Sequence, residues 1–221
     1  MKINAIITGS TGMVGKAVLL ECLAHPLVNS VLVINRKSIG LKHPKLKEII
    51  HTDFFDLTPI ENQLKGYNAC FFCLGVSAMG LTETQYHKYT YALTVHFATV
   101  VAKINPELTF NYVSGAGTDS SEKGKVMWAR VKGKTENKLT TLFKEVYLFR
   151  PGAILPEKGV KSKVKTYNVL YAILTPFFPL LKKMNSITTS SRVGQAMINS
   201  VLKGSAKKQL ENSAINLLAK S

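Results

Sequence analysis

The segment that most constrains the fold of this chain is residues 4–15, with the sequence NAIITGSTGMVG. It begins with a short apolar run, too short for a helix and rich in β-branched residues, which predicts a strand. Glycines follow at Gly9, Gly12 and Gly15, and a helical pattern covers residues 14–24. A strand, a glycine-rich turn and a helix in this order indicate a dinucleotide-binding site, whereas a glycine-rich turn outside such a context is ordinary.

Each of the three glycines has its own expected role. Gly9 allows a sharp turn out of the strand, Gly12 lets the backbone come close to a diphosphate, and Gly15 lets the helix pack tightly on its strand. The free N–H groups and the positive dipole end of the helix suit a pair of phosphates. The loop residues that we expect to contact a dinucleotide are Gly9, Thr11, Gly12, Met13, Val14 and Gly15.

Length and composition indicate one folded domain that spans residues 1–221. With 221 residues, of which 46% are hydrophobic and 19% charged, the chain can bury a full core and is not of the disordered class. No secretory signal pattern precedes the first strand. The three cysteines do not form a disulfide framework, so we expect a cytoplasmic protein.

Two cysteines, Cys70 and Cys73, have a spacing typical of metal and redox pairs. They lie in a predicted strand, where residues three apart point to opposite faces, so their thiols should not converge. We interpret them as buried structural cysteines. None of the five histidines has the spacing of paired ligands, and no metal site is predicted.

The chain carries a net charge of +16, and residues 157–221 contribute +9 of it. A basic surface suits nucleic acid, anionic lipid or an acidic cofactor or substrate. No helix-turn-helix, zinc-finger or RNA-binding signature accompanies the charge, so no specific nucleic-acid partner is expected. A solvated basic surface together with a polyanionic cofactor is the favoured interpretation.

The second predicted strand, residues 31–34, is followed at once by Asn35, Arg36, Lys37 and Ser38. In dinucleotide-binding folds an Asp or Glu at this point holds the ribose hydroxyls of NAD, whereas an Arg accommodates the 2′-phosphate of NADP. The acid is absent here and two cations are present. The sequence therefore predicts NADP over NAD, with a merely decorative role for Arg36 and Lys37 as the alternative.

Strands and helices alternate along the rest of the chain. Asp53 and Phe54 follow the third strand, where they are placed to contact an adenine, although an ordinary turn explains them equally well. The pattern predicts an α/β fold, a doubly wound (Rossmann) parallel sheet with helices on both faces. The strands are expected at residues 5–7, 31–34, 46–51, 69–74, 109–113 and 146–149, and the helices at 14–24, 58–64, 82–105, 126–143, 188–202 and 209–219.

Residues 157–221 are expected to form a mostly helical cap over the substrate. An apolar stretch at 167–181 lies between lysines on both sides, and Pro176 and Pro179 interrupt it. It is too short to span a bilayer. A helix that caps the substrate cleft or forms a subunit contact is favoured over an interfacial membrane segment.

These motifs together resemble the short-chain dehydrogenase/reductase superfamily, specifically its atypical, epimerase-like branch. TGSTGMVG is similar to the TGxxGxxG cofactor loop, and Arg150-Pro151-Gly152 is similar to the RPG turn after the sixth strand. The resemblance covers residues 1–156 well and the remainder loosely. It implies that Asp53 and Phe54 contact adenine, and that Leu74 and Gly75 pass the nicotinamide ribose.

The resemblance also implies hydride-transfer chemistry by a Ser, a Tyr and a Lys. Ser114 matches the serine that polarises the carbonyl, and Lys132 matches the lysine that holds the nicotinamide ribose. The tyrosine position is occupied by Trp128, whose indole N–H donates a hydrogen bond but cannot shuttle a proton at neutral pH. The candidate replacements are Tyr86, Tyr89, Tyr91, His87 or a water held by Ser114.

Two functions follow as expectations. The first is an NADP-dependent oxidoreductase or epimerase-like enzyme that acts on an unknown small carbonyl or sugar-nucleotide substrate. The second, to which Trp128 adds weight, is a non-catalytic NADPH-binding protein that regulates a partner. The resemblance also implies that a homodimer would pair through the long helices.

Overall fold

A parallel β-sheet lies at the centre of the computed structural model, which describes residues 2–160 and 175–221. The strands are β1 (Ile3–Thr8), β2 (Val28–Asn35), β3 (Leu46–Ile50), β4 (Ala69–Phe72), β5 (Thr109–Val113), β6 (Val146–Arg150), β7 (Ala153–Leu155), β8 (Ile187–Thr189) and β9 (Gln209–Glu211). The main sheet has the order β3-β2-β1-β4-β5-β6-β9, and its neighbouring strands are all parallel. Strands β7 and β8 pair separately.

Helices cover both faces of this sheet. The helices are α1 (Met13–Ala24), α2 (Glu83–His87), α3 (Leu93–Ile104), α4 (Met127–Leu142), α5 (Phe178–Leu181), α6 (Ser190–Leu202) and α7 (Asn212–Leu218). One core cluster contains residues of α1, α6 and α7, and the other contains residues of α3 and α4. This architecture confirms the predicted α/β, doubly wound parallel sheet.

Strand β1 shows how the two cores are built. Its residues Ile3, Ala5 and Ile7 belong to the cluster on the α1 side, whereas Ile6 belongs to the cluster on the α3 side. Side chains alternate between the faces of a strand, so an unbroken apolar run is needed wherever both faces are covered. The apolar runs of β1 and β2 therefore place these strands at the centre of the sheet.

The C-terminal region departs from the predicted pattern. Residues 209–219 were predicted as one helix, but β9 forms first and adds a strand beside β6 before α7 begins. The central residue of β9, Leu210, is buried. Its distance in sequence from the apolar residues of α7 is the same as in one continuous amphipathic helix. The hydrophobic periodicity therefore could not distinguish a strand followed by a helix from a single helix. Strands β7 and β8 were not predicted either.

The long helix predicted at 82–105 contains a change of helical type. Thr82 begins it with a capping box in which its hydroxyl accepts from the Gln85 N–H, 3.3 Å away. A π-helical turn, Lys88–Ala92, separates α2 from α3. The segment predicted as a helix at 58–64 is a 3₁₀-helix, Thr58–Leu64. Turns of π-helix occur often at functional sites, which draws attention to this stretch.

Most of the apolar stretch at 167–181 lies outside the described residues. Only 175–181 are described, with a 3₁₀ turn at Thr175–Phe177 followed by α5. The choice among a cap, a subunit contact and a membrane-surface segment remains a prediction. Within residues 2–160 and 175–221, the helices are all too short or too polar to cross a bilayer.

Candidate dinucleotide-binding site

Gly9 makes the turn between β1 and α1 against the end of β4. Its φ is +70°, a left-handed conformation that favours glycine. A Cβ at this position would lie 2.6 Å from the carbonyl carbon of Cys73 and 2.7 Å from the Leu74 nitrogen. Both the turn and the close approach of two backbones therefore require a glycine.

Gly15 lies beneath the same turn. A Cβ here would be 2.3 Å from the Gly9 carbonyl oxygen, so the glycine lets α1 pack against the turn itself, rather than against the strand. Gly12 is the N-cap of α1, and its N–H donates to the Gly9 carbonyl at 2.9 Å. The first turn of α1 contains no acidic residue, and Gly12 offers no side-chain cap. The positive end of this helix is thus left available to an anion.

A cavity of about 340 Å³ opens beside this turn. It brings together residues from the ends of β1, β2, β3 and β4, which is where doubly wound sheets bind their ligands. Its lining includes most of the residues that the sequence predicted for a dinucleotide: Gly9, Thr11, Gly12, Arg36, Asp53, Phe54, Leu74 and Gly75.

Other predicted contact residues lie away from this cavity. Lys37 is exposed and does not line it. Met13 and Val14 are partly buried in the first turn of α1, and Gly15 is buried. Ser114 and Lys132 lie at the end of β5 and on α4 rather than in its wall.

Asn35 also lines the cavity, although no motif in the sequence predicted a contact there. It ends β2, and its side chain is 4% exposed. Its Oδ1 accepts from the Ser10 hydroxyl at 2.8 Å, and its Nδ2 donates to a Glu48 oxygen at 2.9 Å. A polar residue that closes an apolar strand directly before Arg36 was the signal in the sequence.

Aromatic and apolar side chains form another part of the cavity lining. Phe54 is 6% exposed, and its ring lies 6.0 Å from that of Phe97 in the core. Phe55, Tyr89 and Leu93 also line the cavity. The π-helical turn supplies Tyr89, which is 43% exposed and is the one replacement candidate in the lining.

Ser114 is buried and its hydroxyl faces into the protein. It lies 2.5 Å from a Glu136 carboxylate oxygen and 3.2 Å from the Phe149 carbonyl oxygen. A hydroxyl has one hydrogen to donate, and both of these oxygens are acceptors. The hydroxyl hydrogen of Ser114 is therefore committed to the interior.

Lys132 is held against the end of β5. Its ammonium donates to the Ser114 carbonyl oxygen, and a second carbonyl, that of Val113, lies 3.4 Å away. Burial lowers the pKa of Lys132 to about 8, and this lowering is opposed by the negative charge of Glu136. An amine with this pKa changes charge close to neutral pH.

The residue that organises this region is Glu136, which the sequence analysis did not select. It is fully buried, and Arg150 Nε donates to both of its carboxylate oxygens at 3.1 Å. Arg150 also donates to the Ser120 hydroxyl at 2.5 Å. Glu136 is the sole acidic residue of α4 and follows Lys132 by one helical turn. This position next to Lys132 is the feature of the sequence that could have indicated its role.

Trp128 packs on the loop that joins β5 to α4. Its ring is half-buried, and a Cβ at Gly117 would lie 3.6 Å from the indole Cη2. Asp119 holds this loop together by accepting from the Ser121 N–H at 3.0 Å and from the Gly124 N–H at 2.7 Å. Gly133 lacks the Cβ that would collide with the Asp119 carbonyl oxygen at 1.7 Å, so α4 packs directly on the loop.

Cys70 is buried, as predicted, whereas Cys73 is only partly buried. Cys70 belongs to the core on the α3 side, and Cys73 packs against the core on the α1 side. Burial raises the pKa of Cys73 to about 12, so its reactive thiolate is strongly disfavoured. Among residues 2–160 and 175–221, no group of three or more His, Cys, Asp or Glu side chains is arranged to hold a metal ion.

No protein-family model matches the chain. In sequence it is 29% identical over 163 residues to Protein FMP52-2, mitochondrial, of Scheffersomyces stipitis, which covers 72% of this chain and 69% of that protein. It is 25% identical over 225 residues to Protein fmp52, mitochondrial, of Emericella nidulans, which covers 90% of this chain and 88% of that protein.

Solved structures show the same fold. The ADP-L-glycero-D-manno-heptose-6-epimerase of Helicobacter pylori superimposes with a TM-score of 0.70 and 16% identity, covering 95% of this chain and 76% of that one. The Bordetella bronchiseptica enzyme WbmH in complex with NAD⁺ gives a TM-score of 0.68 and 16% identity, covering 95% and 74%.

The relatives contradict the expected cytoplasmic location. The fungal relatives just described are named mitochondrial proteins, as are three further relatives. The prediction was wrong because it rested on unpaired cysteines and on a missing secretory signal. Neither of these features distinguishes the cytoplasm from a mitochondrion.

Proposed function

We propose that the chain is an atypical short-chain dehydrogenase/reductase that binds NADP(H) and acts as an oxidoreductase or epimerase-like enzyme on a small carbonyl or sugar-nucleotide substrate. The observation that carries the proposal is the cavity of about 340 Å³ in which the glycine turn meets Arg36. The fold likeness to an epimerase and to an enzyme in complex with NAD⁺ supports it.

The fit of a dinucleotide rests on the glycine turn. Gly9 and Gly15 lack the Cβ atoms that would collide with the backbone here, and Gly12 leads into the uncapped first turn of α1. The diphosphate would be held by the backbone N–H groups there. Leu74 and Gly75, at the end of β4, would lie beside the nicotinamide ribose.

The residues at the end of β2 support the proposal of NADP over NAD. The residue there is an amide, Asn35, and its side chain is already bonded to Ser10 and Glu48. Arg36 comes next, lines the cavity and has no side-chain partner within the part of the chain that the structure describes. A guanidinium binds a phosphate through two parallel hydrogen bonds, so Arg36 is suited to a 2′-phosphate.

The chemistry depends on which group moves a proton. A bound nicotinamide supplies or accepts the hydride. The indole N–H of Trp128 can donate a hydrogen bond to a substrate oxygen but cannot give up its proton. Lys132, with its pKa lowered to about 8, has two protons directed at carbonyl oxygens, which leaves one for a ribose hydroxyl or a substrate oxygen.

A second function, a non-catalytic NADPH-binding regulator, is favoured by two observations at the end of β5. Trp128 takes the place of the acid/base tyrosine, and the Ser114 hydroxyl donates to the interior instead of polarising a substrate carbonyl. Both proposed functions share the same cofactor site.

The cofactor site that both proposed functions share is tested by titration with NADPH and NADH, with nicotinamide fluorescence as the signal. We expect NADPH to bind at least about tenfold more tightly than NADH, a difference of about 1.4 kcal/mol in binding free energy. Arg36→Ala should remove the difference, whereas Lys47→Ala, which removes an exposed cation elsewhere on the sheet edge, should keep it. Equal affinities in the wild type would contradict the NADP assignment.

Turnover separates the two functions. The wild type is incubated with NADPH and a panel of aldehydes, ketones and sugar nucleotides, and oxidation of the cofactor is followed. Oxidation that Lys132→Met abolishes supports the enzyme. Tight NADPH binding without turnover on any of the substrates supports the regulator.

A further inference from the structure

A carboxylate on the edge strand of the sheet organises the loop that carries Arg36. Glu48 is the central residue of β3, and its two oxygens accept three hydrogen bonds. The donors are the Asn35 amide at 2.9 Å, the Ser38 hydroxyl at 2.6 Å and the Ile39 N–H at 3.0 Å. Glu48 therefore binds both ends of the segment that contains Arg36.

The same set of bonds reaches the glycine turn. Asn35 donates to Glu48 through Nδ2 and accepts from the Ser10 hydroxyl through Oδ1, 2.8 Å away. A carboxylate accepts only, so the atom of Asn35 that faces Glu48 must be the amide nitrogen. Ser10, Asn35, Glu48 and Ser38 thus form one continuous series of hydrogen bonds between the glycine turn and the segment after β2.

The charge of Glu48 persists at neutral pH. Burial raises its pKa, but the hydrogen bonds from Ser38, Asn35 and Ile39 outweigh burial and hold the pKa below the usual range for a glutamate. Hydrogen bonds to a charged acceptor are the stronger kind. The segment after β2 is therefore fastened by an ionised group.

We propose that Glu48 is a positioning residue that determines cofactor specificity at the site described above. It holds residues 36–39 so that Arg36 faces the cavity, and it excludes a second carboxylate from position 35. This inference rests on the proposed NADP binding and deepens it.

The exclusion follows from the distance between the two side chains. Asn35 Nδ2 lies 2.9 Å from a Glu48 oxygen in a partly buried position. An aspartate at position 35 would place two carboxylate oxygens at that separation, and like charges this close cannot both remain ionised. An acid at the end of β2 is the feature that favours NAD. The carboxylate of Glu48 thus acts against NAD in addition to supporting Arg36.

The first test is Glu48→Gln, compared with Glu107→Gln. The control removes one negative charge from an exposed ion pair with Lys144, and neither residue of this pair lines the cavity. We expect Glu48→Gln to weaken NADPH binding by about tenfold, the loss expected when charge-assisted hydrogen bonds are released, and to change NADH binding little. General damage to the fold would weaken both cofactors alike. An unchanged ratio of the two affinities would overturn the positioning role.

The second test uses Asn35→Asp alone and in combination with Glu48→Gln. The double variant exchanges the amide and the carboxylate between positions 35 and 48. The single variant should lower the unfolding temperature and weaken both cofactors. The double variant should recover the unfolding temperature and bind NADH more tightly, relative to NADPH, than the wild type does. If the effects of the two substitutions on the unfolding temperature are additive, the proposal that Glu48 excludes a carboxylate from position 35 is contradicted.

These outcomes separate the inference from the proposed function. Should the wild type bind neither cofactor, or bind both equally, the NADP assignment fails, and the positioning role for Arg36 fails with it. The exclusion is still decided by the unfolding temperatures of the three variants, because that coupling between positions 35 and 48 does not depend on a cofactor.

Discussion

Two neighbouring regions at the carboxyl edge of the sheet differ in how their polar groups are used. At the ends of β1 and β2, the glycine turn and Arg36 face a cavity, and Arg36 has no side-chain partner among the described residues. At the end of β5, the polar groups bond to one another: Ser114 to Glu136, Glu136 to Arg150, and Lys132 to backbone carbonyls.

This difference indicates that the two regions are suited to different tasks: the first to binding an anion, and the second to stabilising the fold. The first region leaves the Arg36 guanidinium without a side-chain partner among the described residues, which suits a site for a polyanion. The second region satisfies its groups internally and carries an indole at the position where the resemblance expects a tyrosine. This fold can therefore leave a cavity open at the ends of β1 and β2 while the polar groups at the end of β5 form a packed, hydrogen-bonded element.

The largest predicted effect concerns the buried ion pair. Glu136→Gln leaves Arg150 without its charged partner in the interior, and we expect the free energy of unfolding to fall by about 3–5 kcal/mol, as measured by urea denaturation. Glu107→Gln, at an exposed pair, should cost less than about 1 kcal/mol. Similar losses in the two variants would show that the β5 region is not held together by this pair.

The next effect concerns the glycine turn. Gly9→Ala combines left-handed strain with a collision against the backbone of Cys73 and should cost about 2–4 kcal/mol and abolish NADPH binding. Gly40→Ala is the matched control, because Gly40 has a φ of +65° but nothing within 4 Å of the added Cβ. It should cost about 1–2 kcal/mol, from strain alone. Equal costs would mean that the close approach at Gly9 is unimportant.

A smaller effect depends on pH. Lys132 has a pKa of about 8 in the folded chain, against about 10.4 for an unperturbed lysine in the unfolded chain. Between these values the unfolded chain binds more protons, so this residue makes the free energy of unfolding rise with pH. Urea denaturation between about pH 7 and about pH 10 should show the wild type gaining stability relative to Lys132→Met. A constant difference across this range would contradict the burial of the ammonium.

The smallest effect is expected from restoring the tyrosine. In Trp128→Tyr, the Ser114 hydroxyl would still donate to the interior, so NADPH oxidation with the carbonyl panel should rise by less than about tenfold, below the range typical of a working general acid. An increase of about a hundredfold or more would show that the β5 region lacks only the tyrosine.

The sequence predicts the fold well where a physical rule ties residue type to geometry. The glycine spacing predicted a sharp turn at Gly9, which has a φ of +70°, and the apolar runs predicted the central strands. The opposite-face rule predicted that Cys70 and Cys73 would enter different cores. Each of these features depends on neighbours within a few residues.

The rest depends on contacts between distant positions. Glu48 and Asn35 are 13 residues apart, and Ser114 and Glu136 are 22 apart, so no local pattern could show that they bond. No spacing in the sequence distinguished the π-helical turn from an ordinary helix, although Tyr89, which lies in this turn and lines the cavity, was among the candidate residues. Lys37 was predicted to contact the cofactor together with Arg36, but it is exposed and does not line the cavity.

The most direct test of the account is a crystal structure of the chain with NADPH. We predict that the diphosphate lies on the glycine turn at Gly12, and that the 2′-phosphate accepts hydrogen bonds from Arg36 while the Asn35–Glu48 bond remains in place. A dinucleotide bound elsewhere, or a 2′-phosphate that contacts solvent alone, would contradict the assignment of this cavity.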